Sequence, residues 1–182
     1  MSWWWVVIIV SGVVLVALYL SMTAGRLDAL HRRIDAASHA LDVQLLRRSA
    51  LTSDLASSGL FDPATTVVLA ASAHAARAVD VTDPVARGLA ESDLTRVLME
   101  VLPDEAEVAE LRHSPEACAM LDELSSTCTR VQLSRRFHND AVRACRQVRR
   151  HRAVRWFRLA GHTPWPHTME MDDTPPSALT DR

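Results

Sequence analysis

The chain has 182 residues, 48% of them hydrophobic, and its 20 basic and 22 acidic side chains leave a net charge of −2. That balance excludes a partner chosen by bulk charge alone. Three cysteines without paired spacing exclude a disulfide framework and read as small apolar residues in a reducing compartment. Five glycines against abundant Ala, Leu and Val favour long helices over turn-rich sheet.

The first element runs from Trp3 to Leu20, and no charged residue appears until Arg26. About 18 apolar residues at 1.5 Å rise give roughly 27 Å of helix, close to the hydrocarbon thickness of a bilayer. Residues 1–25 are therefore expected to be a transmembrane anchor. A cleaved signal peptide would need Lys or Arg before the apolar run, a shorter run and an A-x-A-like site. Here only Met1-Ser2 precede it, and Ala24 follows Met22-Thr23. Arg26, Arg32 and Arg33 follow the span, so the positive-inside rule expects the N-terminus outside and the remainder cytoplasmic. Trp3, Trp4 and Trp5 suit the outer interface and Tyr19 the inner one.

Residues Arg26 to Ser58 read as one long helix with Leu27, Leu30, Ile34, Ala37, Leu41, Leu45 and Leu55 on its apolar face, ending at Gly59. Asp62-Pro63 starts a second helix with Val67, Val68, Ala71, Ala75 and Val79 inward. Asp80 to Gly88 reads as a connection, with Asp83-Pro84 as turn chemistry. Ser92-Asp93 is then expected to cap a third helix carrying Leu94, Val97, Leu98, Val101 and Leu102, broken by Pro103. A short acidic helix over Asp104 to Leu111 follows. Ser114-Pro115 opens the last helix, where Ala117, Leu121, Leu124, Cys128 and Val131 alternate at four and three. Arg135 and His138 interrupt that seam, and Val142 and Cys145 resume it. The helix is expected to reach Leu159, and Gly161, Pro164 and Pro166 end it.

The predicted fold is all-α: a transmembrane helix followed by an antiparallel four-helix bundle with long helices over 26–161. A flexible C-terminal tail is expected over 162–182. In that topology the Arg-rich end of the last helix turns back toward the inner leaflet.

All 20 basic residues are Arg, and ten of them lie between Arg130 and Arg158 with one acid, Asp140. Arg149, Arg150, Arg152 and Arg155 with Trp156 are the candidate lipid contacts, since anionic headgroups attract such clusters by about 1 kcal/mol per Arg. The same cluster could release counterions from nucleic acid. No nucleic-acid-binding motif accompanies it, so nucleic acid ranks behind membrane and solvent. Arg135, Arg136, Asn139 and Asp140 form a second candidate patch. It would serve either a protein partner or the fold. The structural reading is favoured, with Arg136–Asp140 as an i,i+4 pair and the patch tied to the first helix through acids such as Asp42.

There is no P-loop, GxGxxG, HExxH or CxxC. His162 and His167 share a Pro-rich stretch poorly suited to metal, and no Glu-x-x-His pair suggests a di-iron bundle. No cofactor, metal or enzyme activity is expected.

The stretch Ser134-Arg135-Arg136-Phe137-His138-Asn139-Asp140-Ala141-Val142 resembles the late-helix motif of LemA family proteins. Asp42-Val43-Gln44-Leu45-Leu46-Arg47-Arg48 resembles that family's first-helix motif. Leu159-Ala160-Gly161 followed by Pro164 is similar to its short C-terminal segment. The chain departs from the pattern at His138, where the family usually has Tyr, and at Thr52-Ser53, where it has Ile-Pro. The family's closing aromatic residues are also missing near Met169-Glu170-Met171. The resemblance implies a tethered antiparallel helical bundle and carries over no reaction. The functional expectation is a non-enzymatic adaptor or scaffold at the cytoplasmic membrane face, with an unidentified protein partner or a homo-oligomer. The alternatives are an accessory subunit or enzyme of envelope chemistry, and a lipid-sensing module.

Overall fold

The computed structural model describes residues 3–157, 161 and 163–180. Their secondary structure is entirely helical: α1 (Trp3–Ser57), α2 (Pro63–Ala78), α3 (Pro84–Val101), α4 (Glu105–Leu111), α5 (Pro115–Arg149), α6 (Arg152–Trp156) and α7 (Ser177–Thr180). The apolar stretch and the amphipathic stretch after it form one continuous helix, because no Pro interrupts them and Gly12 and Gly25 meet no neighbour. Its apolar N-terminal part is long and apolar enough to cross a membrane, and none of that window is buried among the described residues.

Local chemistry sets the helix starts. Asp62 accepts from the N–H groups of Ala64 and Thr65, with Pro63 at N1 of α2. Asp83 does the same for Val85 and Ala86, with Pro84 at N1 of α3. The third helix thus begins at the Asp-Pro pair read as a turn, and Ser92-Asp93 lies inside it. Asp104 caps α4, and Ser114 accepts from Ala117 N–H at the start of α5. Gly59, with φ of 78°, closes α1 in the left-handed region that suits glycine.

The chain divides into two compact units. The first comprises Met1–Ala36 and Asp140–His167, the second Ala37–Asn139 and Thr168–Arg182. In the first, Leu27 is buried with Cys145, Val148 and Val154, flanked by Leu30 and Ile34. Here α5 ends at Arg149 rather than running on to Leu159. The break at 150–151 lets Val154 of α6 turn into this core, and the cations around it suit a helix C-terminus. Arg158, Leu159 and Ala160 lie outside the described residues.

The second unit holds the larger core. Leu55 and Ala56 of α1, Leu69 and Ala76 of α2, and Leu94, Leu98 and Leu102 of α3 meet Val108, Leu121, Leu124, Cys128 and Leu179. A second cluster joins Leu41, Leu45, Val131 and Met169. The α1, α3 and α5 faces are the predicted ones. The α2 face is not: Val67 and Val68 are exposed, and Leu69, Ala73 and Ala76 point inward. The alanines let α2 lie close on α3, which the bulkier valines would hold off.

The segment expected to be a flexible tail is packed. Within the second unit Met169, Pro176 and Leu179 are buried, and α7 lies against α4. A Cβ on Gly88 would stand 2.1 Å from the Glu170 carbonyl oxygen, so the segment crosses α3 where only glycine leaves room. We call residues 168–176 the strap.

Candidate functional site

The polar residues of the second unit converge beneath the strap. Arg48 lies on the same α1 face as Leu41, Leu45 and Leu55 and is 1% exposed. Its guanidinium donates through Nη2 to Glu91 Oε2 at 2.6 Å and the Glu91 carbonyl at 3.1 Å, and through Nη1 to Thr95 Oγ1 at 3.0 Å. Glu91 is as deeply buried. A buried charge without a partner is costly, and direct contact within this pair offsets part of that cost. Burial pushes the Glu91 carboxyl above the usual range, and the Arg48 charge pulls it back. Next to it, Arg87 Nη1 donates to Asp42 Oδ1 at 2.5 Å. That pair and Glu91 help to line a cavity of about 270 Å³ among α1, α2 and α3.

The strap closes over this network through its backbone. Asn139 of α5 is 6% exposed; its Nδ2 donates to the Met169 carbonyl at 3.1 Å, and its Oδ1 accepts from Met169 N–H at 2.9 Å. A carboxamide has one acceptor and one donor edge, which match the two backbone groups of a single extended residue. Ser92 Oγ accepts from Asp172 N–H at 2.9 Å, and Thr95 Oγ1 lies 2.9 Å from the Asp172 carbonyl. Gln132 Nε2 donates to the Asp173 carbonyl at 3.0 Å. Side chains of the strap are also engaged, Met171 against the same cluster as Met169. Met169 enters the cluster of Leu41, Leu45 and Val131. Asp173 receives a fork from Arg135, Nε to Oδ2 at 2.6 Å and Nη2 to Oδ1 at 2.9 Å.

Arg135 and Asn139 are therefore brought together, and both hold the strap. The expected tie to α1 through Asp42 is replaced, because Asp42 is taken by Arg87 and Arg135 by Asp173. The expected Arg136–Asp140 pair is also absent: Asp140 accepts from Arg143 one turn on, and Arg136 is exposed.

In the first unit Arg146 Nε donates to the Pro166 carbonyl at 2.8 Å. Arg149 donates to the carbonyls of Thr163 and Pro164 and lies 5.0 Å from the centre of the Trp165 ring. Arg149 is thus engaged with protein and is not a free lipid contact. Arg150, Arg152 and Arg155 are exposed, and Trp156, 88% exposed, lines an open depression with Arg152, Arg155 and Phe157. Burial pushes the Cys145 and Cys128 thiols up, so neither is an activated nucleophile. Among the described residues no cluster of His, Cys, Asp and Glu could hold a metal ion.

Sequence reasoning passed over Arg48, Glu91 and Thr95. The usable signal was two opposite charges on otherwise apolar helix faces, Arg48 among Leu41, Leu45 and Leu55, and Glu91 beside Leu94 and Leu98. No protein-family model matches this chain, and no curated protein or solved structure shows significant similarity to it.

Proposed function

We propose that this chain is a single-pass membrane protein, a divergent LemA-like antiparallel four-helix bundle that acts as a non-enzymatic adaptor on the cytoplasmic side. The carrying observation is the course of α1. One helix passes from an apolar stretch with no buried residue into the buried positions Leu27, Leu41 and Leu45. An exposed row of Val, Ile and Leu of that length suits lipid, and its direct fusion to a packed domain suits a tethered platform. The Arg residues after the span support the cytoplasmic orientation. The LemA-like stretch supports the family reading through residues with structural work to do, Arg135, Asn139 and Arg48.

Protease added outside intact cells tests the orientation. The reading expects residues beyond Arg26 to stay intact until the membrane is opened, and cleavage in sealed cells overturns it. Crosslinking of the full-length protein in its own membrane tests the adaptor role, and the expected result is a stoichiometric partner.

One observation favours a second reading, lipid contact by α6. Val154 is buried against Leu27, a few residues beyond the span, while Trp156 and the Arg side chains of α6 face outward. Replacing Arg150, Arg152 and Arg155 by Gln is expected to weaken binding to vesicles of anionic lipid, and unchanged binding removes the reading.

A further inference from the structure

We propose that the surface of α1, α3 and α5 beneath the strap is a recognition site for an extended peptide. Its ligand pattern is an apolar residue followed four positions later by a carboxylate, and residues 169–173 are the resident ligand. The inference names the partner chemistry of the adaptor and rests on that reading only for the partner's existence.

The contacts divide as they do in peptide recognition, with the main chain held for affinity and a few side chains read for choice. Asn139, Ser92, Thr95 and Gln132 address backbone groups that every peptide has, at residues 169, 172 and 173. Gly88 clears the carbonyl of residue 170. Selection falls chiefly on two positions, with Met171 packed beside the first: the apolar seat of Leu41, Leu45 and Val131 takes Met169, and the Arg135 fork takes the Asp173 carboxylate. The strap forms no helix or strand between residues 168 and 176; the surface beneath it meets the backbone at residues 169, 172 and 173, and Thr174 N–H donates to the strap's own Asp172.

The surface is also built to persist without its occupant. The Thr95 hydroxyl has one proton and faces two carbonyls, Glu91 at 3.0 Å and Asp172 at 2.9 Å, while accepting from Arg48. When residue 172 leaves, the Glu91 carbonyl remains. Ser92 likewise donates to the Gly88 carbonyl at 2.6 Å whether or not the strap is there. Arg48 keeps Glu91 throughout. Asn139 and Arg135 become hydrated at the surface, and the apolar area uncovered is the seat of Met169 with the flanking contacts of Met171 and Pro176. A competing peptide faces a resident tethered in the same chain, which acts at an effective concentration on the order of millimolar.

The test uses the full chain in detergent micelles. The probe is a fluorescein-labelled peptide of residues 167–176, His-Thr-Met-Glu-Met-Asp-Asp-Thr-Pro-Pro, followed by anisotropy. The double variant Met169→Ser with Asp173→Asn weakens the resident strap. It is expected to keep the wild-type helical circular dichroism and to bind the probe saturably, at least tenfold tighter than the wild-type chain does. A probe with Asn for its second Asp is expected to bind at least tenfold more weakly. Adding Arg135→Gln to the protein is expected to erase that difference between probes. A folded double variant that ignores the probe overturns the proposal. So does a double variant that loses its helices, since the strap is then part of the core. No membrane is present, so failure of the anchor or of its orientation leaves the result unaffected.

Discussion

Helix α5 fastens the C-terminal segment in both units, and the two fastenings differ in burial. In the second unit, Asn139 and Met169 are nearly closed to solvent, and the Arg135 fork is largely covered. In the first, Arg146 and Arg149 hold the carbonyls of Thr163, Pro164 and Pro166 with Trp165 still 42% exposed. The donors are of similar kind and the distances alike. A hydrogen bond removed from buried surroundings leaves its partner without water, whereas one removed at the surface is replaced by solvent. The second fastening should therefore dominate the stability of the segment, although the first has more positive charge.

The strongest break in that comparison is Glu91→Ala, which strands the Arg48 guanidinium beneath the strap. It is expected to cost about 3–5 kcal/mol in urea unfolding of the full chain. Gly88→Leu should come next, at about 1–3 kcal/mol, because its side chain collides with the strap backbone. Hydrogen exchange of residues 169–173 should rise while that of α5 does not. Asn139→Ala is expected to cost about 2 kcal/mol through the two backbone groups of Met169 left unsatisfied. Protection of Met169 N–H is the direct readout. Arg149→Ala in the first unit is expected to cost less than about 1 kcal/mol, since a surface cation loses little. An Arg149 effect as large as that of Asn139 would mean that burial does not separate the two fastenings.

The pH dependence sharpens the same contrast. The folded-state pKa of Glu91 is raised, so the proton-linked part of its contribution to stability is fully present below about 4.5 and is lost as pH rises through the folded value. Asp172 of the strap is lowered, first by the backbone N–H of Thr174, so its contribution is present above 3.8 and is lost as pH falls further. Urea titrations between pH 3 and 7 should show these opposite slopes, and Glu91→Gln should remove only the upper one.

The parts legible in the sequence were those with a local signal. The α5 seam from Ala117 to Val131 is buried as its spacing requires, and Leu27, Leu41, Leu45 and Leu55 mark α1. The start of α3 was missed because Asp83-Pro84 serves equally as a turn or a cap, though Asp62-Pro63 at the start of α2 was read as a cap. The α2 face was misjudged because hydrophobicity favoured Val67 and Val68, while close approach favoured Ala73 and Ala76. The strap was illegible for a different reason. Its order comes from Ser92, Thr95, Gln132 and Asn139, between 30 and 80 residues away in the chain, acting on backbone groups. Composition there, acidic and Pro-rich, describes only the segment itself. Arg135 and Asn139 stood out in the sequence within a patch of four polar residues, but their partners on the strap could not be read from one helix.

Gly88 turns this geometry into a marker that can be read without any structure. A side chain at that position and a strap across α3 cannot coexist, so the residue reports in text form whether the crossing is made. Among sequences descended from a common ancestor, those that keep the apolar-to-carboxylate spacing near the C-terminus should hold glycine here. Those that have lost the spacing are released from that constraint, and the two positions should change together.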